Sequence, residues 1–177
     1  MKIACLGDIM VGDQPLSFGF GIRSKLYRNK EIVDVKVTDL LDDFDLVLGN
    51  LESPVCDQLD SEKNDISYFS MRGDSNSFSL LNDLRLNGVN LANNHTLEHG
   101  IEVFEQTSLS LENLGIFHFG SRKKSVHYLE KNGIKIAIMG WSMIRENYLG
   151  DTDSSQIYNL TSNPNEIIAE IRKVRKK

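Results

Sequence analysis

The feature that most limits the fold of this chain is a repeated pairing. Short apolar runs that stop at glycine or polar residues alternate with longer stretches whose leucines and isoleucines recur at helical spacing. The runs KIACLG (2–7), DLVLG (45–49), VNLA (89–92) and IFHFG (116–120) are each too short for a helix and read as strands. Between them, SFSLLNDLRLNG (77–88) carries Leu80, Leu81, Leu84 and Leu86, with Gly88 as its expected stop. GIEVFEQTSLSLENLG (100–115) places Ile101, Phe104, Leu111 and Leu114 on one face. EIVDVKVTDLLDDF (31–44) mixes both signals and is read as helix. Residues 57–65 read as a polar loop and ISYFSM (66–71) as an extended edge. Strands separated by helices imply an α/β sheet with parallel pairs. Later, Asn132-Gly133 sits between two β-rich runs and predicts a hairpin. The last segment, NPNEIIAEIRKVRKK, has Asn163 to cap, Pro164 at the first position and Glu166 to complete a capping box. Its apolar face is Ile167, Ile168, Ile171 and Val174, and its basic end complements the helix dipole.

Composition narrows the function classes. The 177 residues carry 25% charged side chains and a net charge of −5, which disfavours a nucleic-acid partner. No apolar run approaches the ~20 residues that a membrane helix needs, and the N-terminus does not read as a secretory signal. Cys5 and Cys56 read as free thiols, Cys5 as a small hydrophobe, and a cytoplasmic location is expected. One domain over 1–177 is the simplest organisation.

The chemistry is concentrated just past three of the strands. CLGDIMVGD places Asp8 after the first, LVLGNLESPV places Asn50 and Glu52 after the second, and VNLANNHTLEHG places Asn93, Asn94, His95 and Glu98 after the third. Ligands of α/β sheets bind outside the carboxyl ends of strands. Convergence there would assemble two carboxylates, an amide oxygen and an imidazole, a donor set suited to Mn²⁺, Fe²⁺ or Zn²⁺. Each residue also has a purely structural reading: Asp8 and the asparagines as turn formers, His95 as a hydrogen-bonded turn residue, Glu52 as a solvated side chain. Gly7 and Gly49 fit tight turns out of the sheet.

GDIMVGD, GNLESPV and LANNHTLEHG, in this order, resemble the CapA family of bacterial capsule and poly-γ-glutamate synthesis proteins, which have a calcineurin-like metallophosphatase fold. SYFSMRGDSNSFSLLNDLRLNGVNLANNH and NLGIFHFGSR extend the resemblance. It implies an αββα sandwich with a dinuclear metal site. Asp8, Glu52 (at the bridging position) and Asn94 would be ligands, and His95 would face the reacting oxyanion. Asn50 and Asn93 are second choices. The substrate would be a small molecule or polymer of capsule metabolism. The family continues with further histidine motifs, whereas here only His118 and His127 follow residue 100, and both read as structural. The expectation is therefore the N-terminal half of that domain, truncated, with weakly bound metal, no appreciable hydrolysis by the chain alone, and self-association or a completing partner chain. The alternatives are a metal-dependent phosphoesterase on a small substrate and an inactive remnant or interaction module.

Overall fold

A computed structural model describes residues 1–14, 16, 18–28, 31–57, 71–145 and 154–176. Four parallel strands, β1 (Ile3–Ile9), β2 (Leu46–Leu51), β3 (Gly88–Asn90) and β4 (Phe117–Phe119), form one sheet in the order β1-β2-β3-β4. The helices α1 (Ile22–Arg28) and α2 (Val35–Asp42) lie between β1 and β2 in the chain. The helix α3 (Ser77–Asp83) links β2 to β3, and α4 (Ile101–Asn113) links β3 to β4. β5 (Val126–Lys131) and β6 (Ile134–Met139) then form a separate antiparallel pair, and α5 (Pro164–Val174) closes the described chain. The α/β class and the parallel pairing expected from the alternation are both present.

Period-two alternation explains how the sheet is covered. Val47 and Val89 point into a large cluster with Leu80 and Leu81 of α3 and Phe104 and Leu111 of α4. Their neighbours Leu46, Leu48, Phe117 and Phe119 point the other way, against Leu129, Ile136 and Ile138 of the hairpin. The central strand β2 is thus apolar on both faces over Leu46–Leu48, as a parallel strand buried on both sides must be. The layers run helices, parallel sheet, hairpin. The outer face of the hairpin, including Tyr128, Ala137 and Met139, shares a cavity of about 800 Å³ with Ile171 and Val174 of α5.

Local chemistry accounts for the element ends. The Asp34 side chain caps α2 by accepting from Lys36 N. Asn163 caps α5 by accepting from Asn165 N, with Pro164 following as expected. The capping box is rearranged: Asn163 N donates to Thr161 Oγ1, which itself donates to Glu166 Oε2. The hairpin turn has φ of 56° at Asn132 and 74° at Gly133, the left-handed pair that a two-residue type I′ turn requires. On α5, Val174 is buried, whereas Ile168 and Ile171 are each 44% exposed.

Several expectations are corrected. Gly88 does not stop a helix: α3 ends at Asp83, and Gly88 opens β3 beneath the Phe117 ring, where a Cβ would overlap it. Gly7 and Gly49 lie inside β1 and β2, not in turns; Gly49 makes room for Ile9 and Leu86. The first apolar run, with Cys5 as a small hydrophobe, suggested a buried strand, but β1 is exposed along most of its length. It is the sheet edge, and Cys5 is exposed. The 31–44 helix is shorter than its pattern, beginning at Val35. The extended edge expected at 66–71 lies outside the described residues except for Met71, as do residues 58–65 of the polar loop. Among the described residues, no helix is long and apolar enough to cross a membrane.

The Gly88–Phe117 contact generates a test. Gly88→Ala should cost about 1–3 kcal/mol of stability through overpacking. Pairing it with Phe117→Leu should return part of that loss. Urea unfolding of the two single variants and the double variant measures the coupling.

Candidate functional site

Strand register builds the site. In the β1–β2 ladder Asp8 stands opposite Asn50, and in the β2–β3 ladder Asn50 stands opposite Asn90. An irregularity between Cys5 and Asp8 shifts the β1 register and brings Asp8 into this row. Three polar residues therefore line up across three adjacent strands at their carboxyl ends. The Asn50 Nδ2 group donates to Asp8 Oδ1 at 2.8 Å and to Glu52 Oε1 at 3.2 Å. Glu52 is half-buried one residue past β2, where its backbone N–H donates to Ile9 O.

The loop after β3 closes over this row. Asn93 is buried; its Nδ2 donates to Leu51 O at 2.9 Å and to Asn50 Oδ1 at 3.2 Å, and its Oδ1 accepts from His95 N. This fixes the turn that presents His95. The His95 Nδ1 lies 2.7 Å from Glu98 Oε2, so the carboxylate orients the ring and leaves Nε2 for another partner. Asn94 is half-buried between these two anchored residues. Glu52 is the group whose acidity the site perturbs. Burial and the neighbouring Asp8 charge weaken it, while His95 and the Asn50 hydrogen bond act in the opposite direction.

Supporting groups hold the loop after β1. Ser53 Oγ accepts from Val11 N at 2.9 Å and Gly12 N at 3.2 Å. Asp13, 1% exposed, accepts from Gly19 N and from both the backbone N–H and the hydroxyl of Ser24. Asp74, also buried, pairs with Arg23 Nε at 3.0 Å. Burial pushes the Asp13 carboxyl upward, but its hydrogen bonds and the nearby Arg23 outweigh that and hold it below its ordinary range.

Of the sequence candidates, Asp8, Asn50, Glu52 and Asn93 form one hydrogen-bonded group. His95 is tied to it through Asn93, and Asn94 is placed beside it by the chain. His118 and His127 have structural surroundings. His118 is buried with Nε2 3.0 Å from Glu112 Oε1, and burial lowers its pKa. His127 stacks on Phe117 with centroids 3.8 Å apart. Among the described residues, no group of three or more His, Cys, Asp or Glu side chains gathers in a metal-holding arrangement. The polar groups present are two carboxylates surrounded by amides. Asn90 escaped the sequence reading because it lies within an apolar run. Its signal was the asparagine one strand residue before the ligand-rich loop. Ser53 and Asp13 had no signal beyond ordinary turn chemistry.

A family profile described as bacterial capsule synthesis protein PGA_cap matches residues 2–177. The chain belongs to this family. It is also 29% identical over 104 residues to the PGA biosynthesis protein CapA of Bacillus subtilis (strain 168). That similarity covers 55% of this chain and 27% of the Bacillus protein, so the capsule-family chain described here matches little more than a quarter of that relative's length.

Asp13 gives a pH test. A carboxyl whose folded pKa is depressed contributes stability above its unfolded pKa, about 4, and loses it as pH falls through the folded value. In Asp13→Asn the difference between urea midpoints at pH 7 and pH 3 should therefore narrow relative to the parent, with a lower midpoint at pH 7.

Proposed function

We propose that this capsule-family protein acts in assembling or processing a bacterial capsule polymer through a divalent-metal site at the carboxyl ends of β1–β3. The observation that carries the reading is the pair of carboxylates, Asp8 and Glu52, drawn to one amide with Glu52 weakened as an acid by burial and by Asp8. Two carboxylates held together, Glu52 half-buried and Asp8 exposed beside it, favour a cation. Oxygen donors with one imidazole nearby suit Mn²⁺, Fe²⁺ or Zn²⁺. In this reading Asp8, Glu52 and Asn94 hold the ion. When bound, the metal would supply Lewis acidity and an activated water.

The remaining steps belong to the chain. Glu98 keeps the His95 ring oriented through Nδ1. His95 offers Nε2 as a hydrogen-bond or proton donor to a developing oxyanion. Asn93 fixes the backbone from which His95 projects. The sandwich of the metallophosphatases is consistent with the helix, sheet and hairpin layers, and the family's polymer chemistry supplies the substrate class. The poly-γ-glutamate substrate comes from the resemblance, and the name of the Bacillus relative points to PGA. A second reading, an association module, draws on the half-exposed Tyr128, Ile134, Ile168 and Ile171. It has a second copy of the chain as its partner.

Titration of Mn²⁺ into the parent, Asp8→Ala and Asn94→Ala tests the metal reading, with circular dichroism as the folding control. Weak uptake by the parent and none by the folded variants is expected. Equal uptake by all three would sink the ligand assignment. On the association reading, the solution mass of the protein should rise with concentration. A clean monomer would remove the association reading.

A further inference from the structure

The Asn50 amide sits at the centre of the candidate site with all four of its hydrogen-bonding positions used. Its two N–H groups go to Asp8 and Glu52. Its oxygen accepts from Asn90 Nδ2 at 2.9 Å and from Asn93 Nδ2 at 3.2 Å. An asparagine amide can ordinarily turn over and exchange its donor and acceptor ends. This one cannot, because both partners on its oxygen side are themselves locked to backbone. Asn90 Oδ1 accepts from Ala92 N at 3.0 Å, and its Nδ2 donates to Ala92 O at 3.1 Å. Asn93 Oδ1 accepts from His95 N, and its Nδ2 donates to Leu51 O. Each outer amide thus has its oxygen committed to a main-chain N–H and its nitrogen committed to a main-chain carbonyl. Both outer amides can present only N–H to Asn50.

We infer that Asn50 is a positioning residue, a clamp that joins the Asp8 and Glu52 carboxylates through its NH₂ group, and that Asn90 and Asn93 set its polarity. The inference changes the role of Asn50. Its oxygen faces away from the carboxylates, so it is not a ligand there. It also assigns Asn90, which lies within β3 and touches neither carboxylate. Two close approaches seat Asn90: an added Cβ at Gly120 or Gly140 would overlap its Oδ1. β4 and the hairpin are thereby held against the clamp, because Gly120 follows β4 and Gly140 follows β6.

The physical consequence is preorganisation. Two like-charged groups repel when they are drawn together, and the half-buried Glu52 is desolvated at some cost as well. A shared NH₂ donor offsets part of that repulsion and keeps both carboxylates in one place before any cation arrives. Partners of this kind, one step removed from the ligands, typically account for 10–100-fold in metal affinity. This last step rests on the metal reading above; the clamp itself does not.

The test separates the two. In ¹³C,¹⁵N-labelled, metal-free protein the Asn50 side-chain NH₂ pair, assigned by its loss in Asn50→Ala, should exchange with solvent more slowly than those of exposed asparagines. It should also show a through-hydrogen-bond coupling to the Asp8 carboxylate carbon. Asn90→Asp replaces a donor with an acceptor facing the Asn50 oxygen. The Asn50 amide should then turn over and lose its coupling to the Asp8 carboxylate carbon, and Mn²⁺ affinity should fall roughly 10–100-fold. Asn93→Asp is the second variant, should the first fail to fold, and should act the same way. Ordinary fast exchange of the Asn50 pair in the parent would overturn the clamp. Loss of the coupling without loss of Mn²⁺ affinity would overturn its role in metal binding. Protected Asn50 signals in a parent that takes up no Mn²⁺ would uphold the clamp and discard the metal reading alone.

Discussion

The cross-strand row Asp8–Asn50–Asn90 is the constraint on which the rest of the site depends. Parallel pairing places these residues opposite one another on adjacent strands. A shift of one residue in any strand would turn its polar side chain to the opposite face of the sheet. The irregularity in β1 is therefore functional in a geometric sense: it places Asp8 in the row. Once the row exists, the loop residues add to it. Glu52 joins through Asn50, Asn93 through the Asn50 oxygen, and His95 through the Asn93 turn.

The same alternation that buries the sheet on both faces explains why the row is polar where it is. Leu46 and Leu48 of β2 face the hairpin core, and Asn50 continues that side of the strand at its carboxyl end. Phe117 and Phe119 do likewise on β4. Apolar contacts fill the side until the strands run out, and hydrogen-bonding groups take over at the edge. Amides that are buried, like Asn93, or half-buried, like Asn50 and Asn90, are tolerable there only because each is satisfied. Asn50, Asn90 and Asn93 satisfy one another and the local backbone.

Much of this was legible beforehand. The alternation of apolar runs and helical stretches announced a parallel sheet, Asn132-Gly133 announced the hairpin, and Asn163-Pro164 announced the final helix. Asp8, Asn50, Glu52 and Asn93 were visible as polar residues at the ends of apolar runs, although Asp8 and Asn50 prove to lie within the last residues of β1 and β2 and only Glu52 and Asn93 follow their strands. The glycines were misread because sequence punctuation does not separate a turn from a close approach. Gly88 serves the Phe117 ring and Gly49 serves Ile9, contacts between segments far apart in the chain. Cys5 was misread because an apolar run does not say whether its strand is central or at the edge.

The sequence alone determined the identity of the elements and the chemical types available to the site, because both follow from local periodicity and from short-range turn and capping chemistry. The tertiary structure decided which strands are neighbours, in what register, and which end of each amide faces which partner. Those depend on packing between residues forty or more positions apart, such as Asn50 with Asp8, Asn90 and Asn93. The asparagine has a donor and an acceptor at one tip, and nothing in its neighbours along the chain chooses between them. The Ala92, Leu51 and His95 backbone groups make that choice once the strands are in place.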